Sequence, residues 1–337
     1  MQQKRRVMNL THRERLLACI SNDAALDRPP VALWRHFPVD DQSPETLASA
    51  TLDFQRRYDF DLVKVTPASS FCLLDWGAND VWEGNPEGTR RYIKRVIEKP
   101  QDWEQLPLLN PNKANHLARQ LDCLRLIKHD LEPGTPILQT IFNPLAQAKN
   151  LVGGQELIVH LRQQPESVLK GLKTIAETTL RFVETCVKIG IDGIFLANQH
   201  AQAGLLTLEE YNDFGLPFDL QILEAAKGLR CNLLHLHGQH VHFQVALQTP
   251  CQITNWHDRE TGPSLAEAQK IYPGVVCGGL SVNKMVLGSP LDVRKEVEDA
   301  VLQTDGKRFL LGTGCVIPVI TPHGNILAAR QGVEVVR

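Results

Sequence analysis

The 337-residue sequence lacks any run approaching the roughly 18 consecutive apolar residues that a membrane-spanning helix needs. It also lacks a charge excess, because 36 Lys and Arg face 38 Asp and Glu, which argues against a nucleic-acid partner. The basic stretch 1–17 has no apolar core of a secretory signal. The eight cysteines include no Cys-x-x-Cys pair, a usage typical of a reducing compartment. We therefore expect a cytoplasmic globular protein without membrane or nucleic-acid partners.

Short apolar runs alternate with longer helical patterns along the whole chain. Eight runs are bounded by Gly, Pro, Asn or Asp, as strands buried on both faces are: 31–35, 62–66, 136–142, 193–197, 232–237, 252–256, 275–280 and 308–312. Eight strand–helix units predict an α/β fold, namely a (β/α)8 TIM barrel that forms a single domain over residues 1–337. No Gly-rich dinucleotide fingerprint follows an early strand, which disfavours a doubly wound sheet. The polar segment 78–125 is predicted to be an insertion over the barrel mouth.

Two histidines and a distant cysteine form the strongest chemical pattern. His235 and His237 occupy alternate positions of the fifth predicted strand, so their side chains point to one face. Cys315 follows the eighth strand in Gly312-Thr-Gly-Cys315, and a barrel brings all its strand ends to one rim. Two imidazoles and a thiolate would make a three-ligand metal site with one open position, as catalytic zinc uses. His240 or His242 could replace one ligand of the pair.

Other polar side chains at the predicted strand ends are candidates for substrate binding and proton transfer. Arg35 could bind a carboxylate or phosphate through two hydrogen bonds, or pair with a carboxylate of the rim. His257 and Asp258, after the sixth strand, are candidate catalytic residues for proton transfer or hydrogen-bond donors to a metal-bound group, with a solvent-facing loop as the alternative. Besides Arg35, the substrate-binding candidates are His36, Lys64, Gln199 and His200.

The sequence resembles the uroporphyrinogen decarboxylase superfamily, which includes corrinoid:coenzyme M methyltransferases, over nearly its whole length. The motifs that carry the resemblance include Thr11-His-Arg-Glu-Arg-Leu-Leu, Asp27-Arg-Pro-Pro, Tyr211-Asn-Asp-Phe-Gly-Leu-Pro-Phe, Gly278-Gly-Leu-Ser-Val-Asn and Leu311-Gly-Thr-Gly-Cys. The resemblance implies a (β/α)8 barrel. The true decarboxylases place an aspartate after the second strand, and the stretch 65–70 contains none. They also have a histidine where Thr313 stands, and their arginine-rich N-terminal loop is reduced here to Arg35-His36.

The methyltransferase branch has His-x-Cys after the fifth strand and Cys after the eighth. His235 and Cys315 match this pattern, whereas His237 replaces the expected cysteine. The resemblance implies a metal-dependent methyltransferase that activates a substrate thiol, with a methylcorrinoid on a corrinoid protein as donor. Zinc is the expected ion, and the second imidazole keeps iron, copper and nickel as alternatives. Two other functions stay open, a decarboxylase of an acidic, tetrapyrrole-like substrate and a non-catalytic metal- or tetrapyrrole-binding protein.

Overall fold

A computed structural model describes residues 10–335 as alternating helices and strands. The strands are β1 (Val63–Val65), β2 (Asn79–Val81), β3 (Arg91–Lys94), β4 (Ile137–Phe142), β5 (Gly193–Asn198), β6 (Leu233–Leu236), β7 (Ile253–Trp256), β8 (Val275–Leu280) and β9 (Phe309–Thr313). The helices are α1 (His12–Ile20), α2 (Pro44–Tyr58), α3 (Asn115–Asp130), α4 (Pro144–Val152), α5 (Gly154–Gln163), α6 (Pro165–Ile189), α7 (Leu208–Phe214), α8 (Leu216–Ala225), α9 (Gln244–Gln248), α10 (Leu265–Ile271), α11 (Val282–Leu287), α12 (Pro290–Thr304) and α13 (His323–Val335). Short 3-10 helices cover Asp40–Gln42, Leu74–Trp76 and Pro100–Gln105.

Seven strands form one parallel sheet in the order β1-β4-β5-β6-β7-β8-β9. Every residue of these strands is buried, as expected where side chains of both sheet faces are covered. Consecutive parallel strands need helical crossovers, and α6, α10 and α12 are among the helices that pack against the sheet. This confirms the predicted α/β class and places the carboxyl ends of β4 to β9 along one edge. Within residues 10–335, no helix combines the length and apolarity that crossing a bilayer requires.

The first predicted strand, over 31–35, is reduced to one isolated parallel bridge between Val31 and Leu311. Ala32 N donates to Leu311 O, and Leu311 N donates to Pro30 O, so this segment lies beside β9. On its other edge Val31 N donates to the Asp61 carboxylate at 2.8 Å, and Asp61 N returns a bond to Val31 O. The Asp61 side chain therefore accepts the Val31 N–H hydrogen bond that a main-chain carbonyl of a neighbouring strand would otherwise accept, and the ladder does not extend.

Local sequence signals mark the ends of several helices. Capping boxes begin α1, where Thr11 pairs with Glu14, and α7, where Thr207 pairs with Glu210. Helix α7 is separated from α8, which begins two residues after it ends. Pro217 lies at the start of α8 and has no N–H to continue the hydrogen bonds of α7, which explains the break.

The segment 78–125 contains the antiparallel pair β2–β3, the 3-10 helix Pro100–Gln105 and the first part of α3. Its turn between β2 and β3 touches the segment after β9, because Val319 N donates to Pro86 O at 2.7 Å. Gly88 is packed directly against the His36 side chain. The placement of this segment over a barrel mouth stays a prediction.

A buried ion cluster lies at the opposite, amino-terminal edge of the sheet. The Asp61 carboxylate is enclosed and accepts hydrogen bonds from Arg15 (2.7 Å), Arg28 (2.6 Å) and the Val31 N–H, with His12 Nδ1 at 3.0 Å. Burial alone would raise the pKa of Asp61, but the hydrogen bond from His12 and the two arginine charges hold it well below its usual range. The cluster connects α1 and the segment before Val31 to the start of β1.

Val39 is a β-branched residue in a left-handed backbone conformation, with φ 78° and ψ −54°, and its side chain is 66 % exposed. Such a conformation costs about 1–3 kcal/mol for a residue with a Cβ, and glycine avoids most of this at an entropic cost of about 0.5–1 kcal/mol. We expect Val39→Gly to raise the free energy of unfolding by about 1 kcal/mol in urea denaturation. Val39→Ala keeps the Cβ and should give no comparable gain. Equal free energies of unfolding for Val39→Gly and wild type would show that the backbone conformation of Val39 costs no stability.

Candidate metal centre

Four side chains at three strand ends bring potential metal donors together. His235 lies in β6, His237 directly follows it, His257 follows β7, and Cys315 comes two residues after β9. One donor atom from each lies within 4.8 Å of all the others. His237 Nδ1 is 3.4 Å from His257 Nε2 and 3.7 Å from Cys315 Sγ. A tetrahedral shell with bonds of about 2.0 Å to nitrogen and 2.3 Å to sulfur spaces its donors by about 3.3–3.6 Å, so these separations fit one ion.

His257, which the sequence suggests for proton transfer, is also part of the cluster. Its Nδ1 lies 3.2 Å from the Glu260 carboxylate, which can only accept a hydrogen bond, so Nδ1 carries the hydrogen. Its Nε2 lone pair then faces His237 Nδ1. The ring predicted to transfer protons is thus placed as a fourth donor, with a carboxylate holding its outer nitrogen, an arrangement common around bound zinc.

The electrostatics of the cluster suit neutral imidazoles. Burial, with the nearby His237 and His257, holds the pKa of His235 well below its ordinary value. Burial and His257 lower the pKa of His237 to about 4. Burial raises the pKa of the Cys315 thiol to about 11, so the sulfur stays protonated at neutral pH unless a cation is bound beside it. A metal ion reverses that preference and deprotonates a coordinating thiol.

The two alternative metal ligands and the second candidate for proton transfer lie outside this cluster. His242 Nε2 is 2.8 Å from Leu206 O, and His240 has an exposed side chain. The structure therefore does not bring either alternative ligand to the other donors. Asp258 is turned towards β8, where both carboxylate oxygens accept from Gly279 N at 3.1 Å, and burial raises its pKa to about 7. Asp258 and His257 thus point to different neighbours from the turn that follows β7.

Lys64 and His36 lie together inside the fold. The Lys64 ammonium is 4.5 Å from the centroid of the Phe195 ring, which stacks on His235 at 5.3 Å. It donates to Thr66 Oγ1 at 3.2 Å, and burial lowers its pKa to about 7. Burial, followed by the Lys64 charge, lowers the pKa of His36 to about 3, and its Nδ1 has no hydrogen-bond partner within residues 10–335.

Arg35 is directed away from the donor cluster. Its guanidinium lies 5.1 Å and 5.6 Å from the ring centroids of Phe37 and Phe54, and Nη1 donates to Val319 O. It borders a cavity of about 650 Å³ lined by α2 residues such as Phe54 and Tyr58, and none of the four donors lines this cavity. The predicted anion clamp is therefore separate from the candidate metal centre.

Gln199 and His200 follow β5 and surround a lysine that the sequence did not reveal. Gln199 Oε1 accepts from Lys149 Nζ at 2.7 Å. Burial, followed by the Lys149 charge, lowers the pKa of His200 to about 3, and Lys149 also contributes to the lowered pKa of His237. Lys149 sits in α4 among ordinary helix-forming residues, so no local pattern identified it. It adds a second cation to this edge of the sheet.

Comparisons with known proteins identify one family, whose members similar to this chain include methyltransferases and decarboxylases. A family model described as Uroporphyrinogen decarboxylase (URO-D) matches residues 11–335. Methylcobamide:CoM methyltransferase MtaA of Methanosarcina barkeri is 23% identical over 218 residues, covering 64% of this chain and 63% of that protein. Methylcobamide:CoM methyltransferase MtbA of Methanosarcina acetivorans is 22% identical over 91% of this chain and 89% of its own length. The uroporphyrinogen decarboxylase of Rhodococcus jostii is 24% identical over 70% of this chain and 68% of its own length.

A solved structure described as a methyltransferase from Methanosarcina mazei superposes with a TM-score of 0.82 at 17% identity. The match covers 96% of this chain and 99% of that one. At this level of identity the likeness establishes a shared fold along nearly the whole chain.

Proposed function

The chain belongs to the uroporphyrinogen decarboxylase family, and within it we propose a metal-dependent methyltransferase that activates a substrate thiol. The methyl donor in this proposal is a methylcorrinoid carried by a separate protein. The observation that carries the proposal is the group of donors from His235, His237, His257 and Cys315 within 4.8 Å of one another. Relatives named as methylcobamide:CoM methyltransferases support it. We further propose that residues 30–32 complete a closed (β/α)8 barrel between β9 and β1, with the segment 78–125 over its mouth.

The residues present fit a divalent ion, with zinc preferred and iron, copper or nickel as alternatives. When bound, such an ion would keep a substrate thiol ionised and available as a nucleophile. His235, His237 and Cys315 would hold the ion, and His257 would supply a fourth donor in the absence of substrate. The substrate sulfur would then take the place of His257 or a fifth position. Three neutral imidazoles and one thiolate leave a net charge of +1 around a divalent ion, so one anionic substrate sulfur makes the centre neutral. With a second cysteine in place of His237, the centre with the same substrate sulfur bound would carry a net negative charge.

The substrate side of the site is cationic in this proposal. Lys64 contacts the same Phe195 ring as His235, and Lys149 lies near His237 and His200. Both ammonium groups would orient an anionic group of the thiol substrate, while Gln199 holds Lys149 in place. His36 and His200 have strongly lowered pKa values because they are buried, so they would act as neutral hydrogen-bonding groups.

Decarboxylation of an acidic, tetrapyrrole-like substrate is the second candidate, supported by relatives named as uroporphyrinogen decarboxylases. It would use Arg35 as a carboxylate clamp. The position of Arg35 against Phe37 and Phe54, at a cavity separate from the other candidate residues, weighs against this use. The donor cluster has no task in a metal-free decarboxylation, and we therefore rank this function second.

The proposed function is tested by metal analysis and a methyl-transfer assay on the full chain. We expect close to one metal ion per chain after purification under metal-replete conditions, and methylation of at least one thiol from free methylcobalamin. The panel should contain thiols with and without a carboxylate, sulfonate or phosphate group. Absence of stoichiometric metal would remove the proposal. A metal-loaded protein that is inactive towards the whole panel would favour non-catalytic metal binding, and carbon dioxide release from uroporphyrinogen would favour the decarboxylase.

A further inference from the structure

Asn255 is a fully buried amide in β7, directly beside the donor cluster. In the parallel register it stands opposite His235 on β6 and opposite Cys277 on β8. Its Oδ1 lies 2.7 Å from His235 Nδ1. Its Nδ2 donates to Cys277 O at 2.9 Å and to Thr313 O at 3.0 Å. One side chain thus connects the metal-facing histidine to the backbones of β8 and β9.

The two backbone carbonyls determine which way the amide points. Carbonyl oxygens only accept hydrogen bonds, so the group facing Cys277 O and Thr313 O must be the NH2 of Asn255. A reversed amide would direct Oδ1 at two further acceptors in a fully buried place, leaving both carbonyls without this donor. Oδ1 is therefore held towards His235.

The same reasoning then decides the protonation of His235. An amide oxygen accepts only, so His235 Nδ1 must carry the hydrogen, and the ring is the Nδ1–H tautomer. Its Nε2 keeps the lone pair that a metal ion requires. We propose that Asn255 is a positioning residue that fixes this tautomer and aims His235 Nε2 at the metal. This inference rests on the proposed function only where it concerns the metal, because the tautomer belongs to the protein alone.

Two substitutions at this position separate positioning from simple packing. Asn255→Leu keeps the same number and branching of side-chain heavy atoms but neither accepts from His235 nor donates to the carbonyls. Asn255→Asp keeps an oxygen acceptor for His235 Nδ1, but its second oxygen faces Cys277 O and Thr313 O instead of donating to them. Thr254→Val is the matched control, because it changes the neighbouring buried residue, whose side chain points to the opposite face of β7.

The first measurement is the tautomer of His235 in the metal-free wild-type protein. Long-range nitrogen–proton correlation spectra of histidine-labelled protein distinguish the two tautomers, and His235→Gln identifies the signal. We expect the Nδ1–H form. Finding the Nε2–H form would overturn the inference whether or not the protein binds metal, whereas wild-type protein that binds no metal would overturn the proposed function alone.

The second measurement is zinc affinity by competition with a chromophoric chelator, alongside thermal unfolding. Loss of such an outer hydrogen bond typically weakens metal binding by about 10–100-fold, and we expect this of Asn255→Leu. Asn255→Asp should bind zinc within a few-fold of wild type although its unfolding temperature falls, and Thr254→Val should bind unchanged. Folded Asn255→Leu with wild-type affinity would contradict the positioning role. If Asn255→Leu does not fold, the Asn255→Asp variant provides the test. A folded Asp variant whose zinc affinity falls 10-fold or more would also contradict the positioning role.

Discussion

Replacing Cys315 by alanine is expected to remove tight metal binding and to lower thiol methylation by at least about 30-fold at pH 7, because a free thiol with a pKa of about 8.5 is only about 3 % ionised there. The loss of ordered substrate placement should lower the rate of methylation further. Zinc binding to four-ligand sites is worth about 10–16 kcal/mol in all, so an average ligand contributes about 3 kcal/mol or more, on the order of 100-fold in affinity. Cys315 is the sole thiol among the four donors and carries their negative charge.

The variant should be measured for metal content, zinc affinity and methyl transfer from methylcobalamin, beside His237→Ala. Cys123→Ala is a matched control, since this buried cysteine lies in α3, far from the strand ends that carry the donors. It should retain metal and activity. Full metal occupancy in both Cys315→Ala and His237→Ala would show that the ion is bound elsewhere.

The second large effect concerns stability and lies at the other edge of the sheet. Asp61→Asn is expected to lower the free energy of unfolding by about 3–5 kcal/mol at pH 7, the usual result of removing one partner from a buried ion cluster. Arg28 would lose its carboxylate partner, and Arg15 would keep only Asp27. Urea denaturation measures the change. Asp53→Asn, at an exposed pair with Arg56, should stay within about 0.5 kcal/mol of wild type.

The same variant predicts a pH dependence with a definite sign. The pKa of folded Asp61 lies below its unfolded value of about 3.9, so the unfolded chain binds the proton first as the pH falls. The stabilisation by Asp61 is complete above that unfolded value and is lost as the pH falls through the folded pKa. The gap between wild type and Asp61→Asn should therefore narrow below about pH 4. A gap that is equal at pH 7 and pH 3 would contradict the ionised cluster.

Much of the architecture was predictable because buried parallel strands are short apolar runs with clear ends. The runs 136–142 and 275–280 contain β4 and β8 almost residue for residue. The first run failed as a strand for a non-local reason, since the Asp61 side chain takes the Val31 N–H. The sequence shows the apolar run that begins at Val31, but not which group accepts the hydrogen bond of the Val31 N–H.

The candidate site was predictable only where the position of a donor relative to a strand could be inferred from the sequence. His235 and His237 follow from alternation, and Cys315 from its place after the last strand. The donor role of His257 depends on the turn after β7, where Glu260 takes its outer nitrogen. The Arg35 guanidinium lies against the Phe37 and Phe54 rings, and Phe54, in α2, gives no local sign of that contact. Lys149 and Asn255 depend on contacts between separate elements, so neither could be inferred from its neighbours in sequence.

The distance along the chain between the donors has a consequence for the order of maturation. His237 and Cys315 are separated by 78 residues and meet only after β6, β7, β8 and β9 have paired. In a zinc finger, ligands close in sequence let the ion organise the fold, and the apo form is unfolded. Here the ion has nothing to bind until the sheet is assembled. In the proposed metalloprotein the polypeptide would therefore fold first and receive its metal last, and a chelator should remove the metal without unfolding the protein.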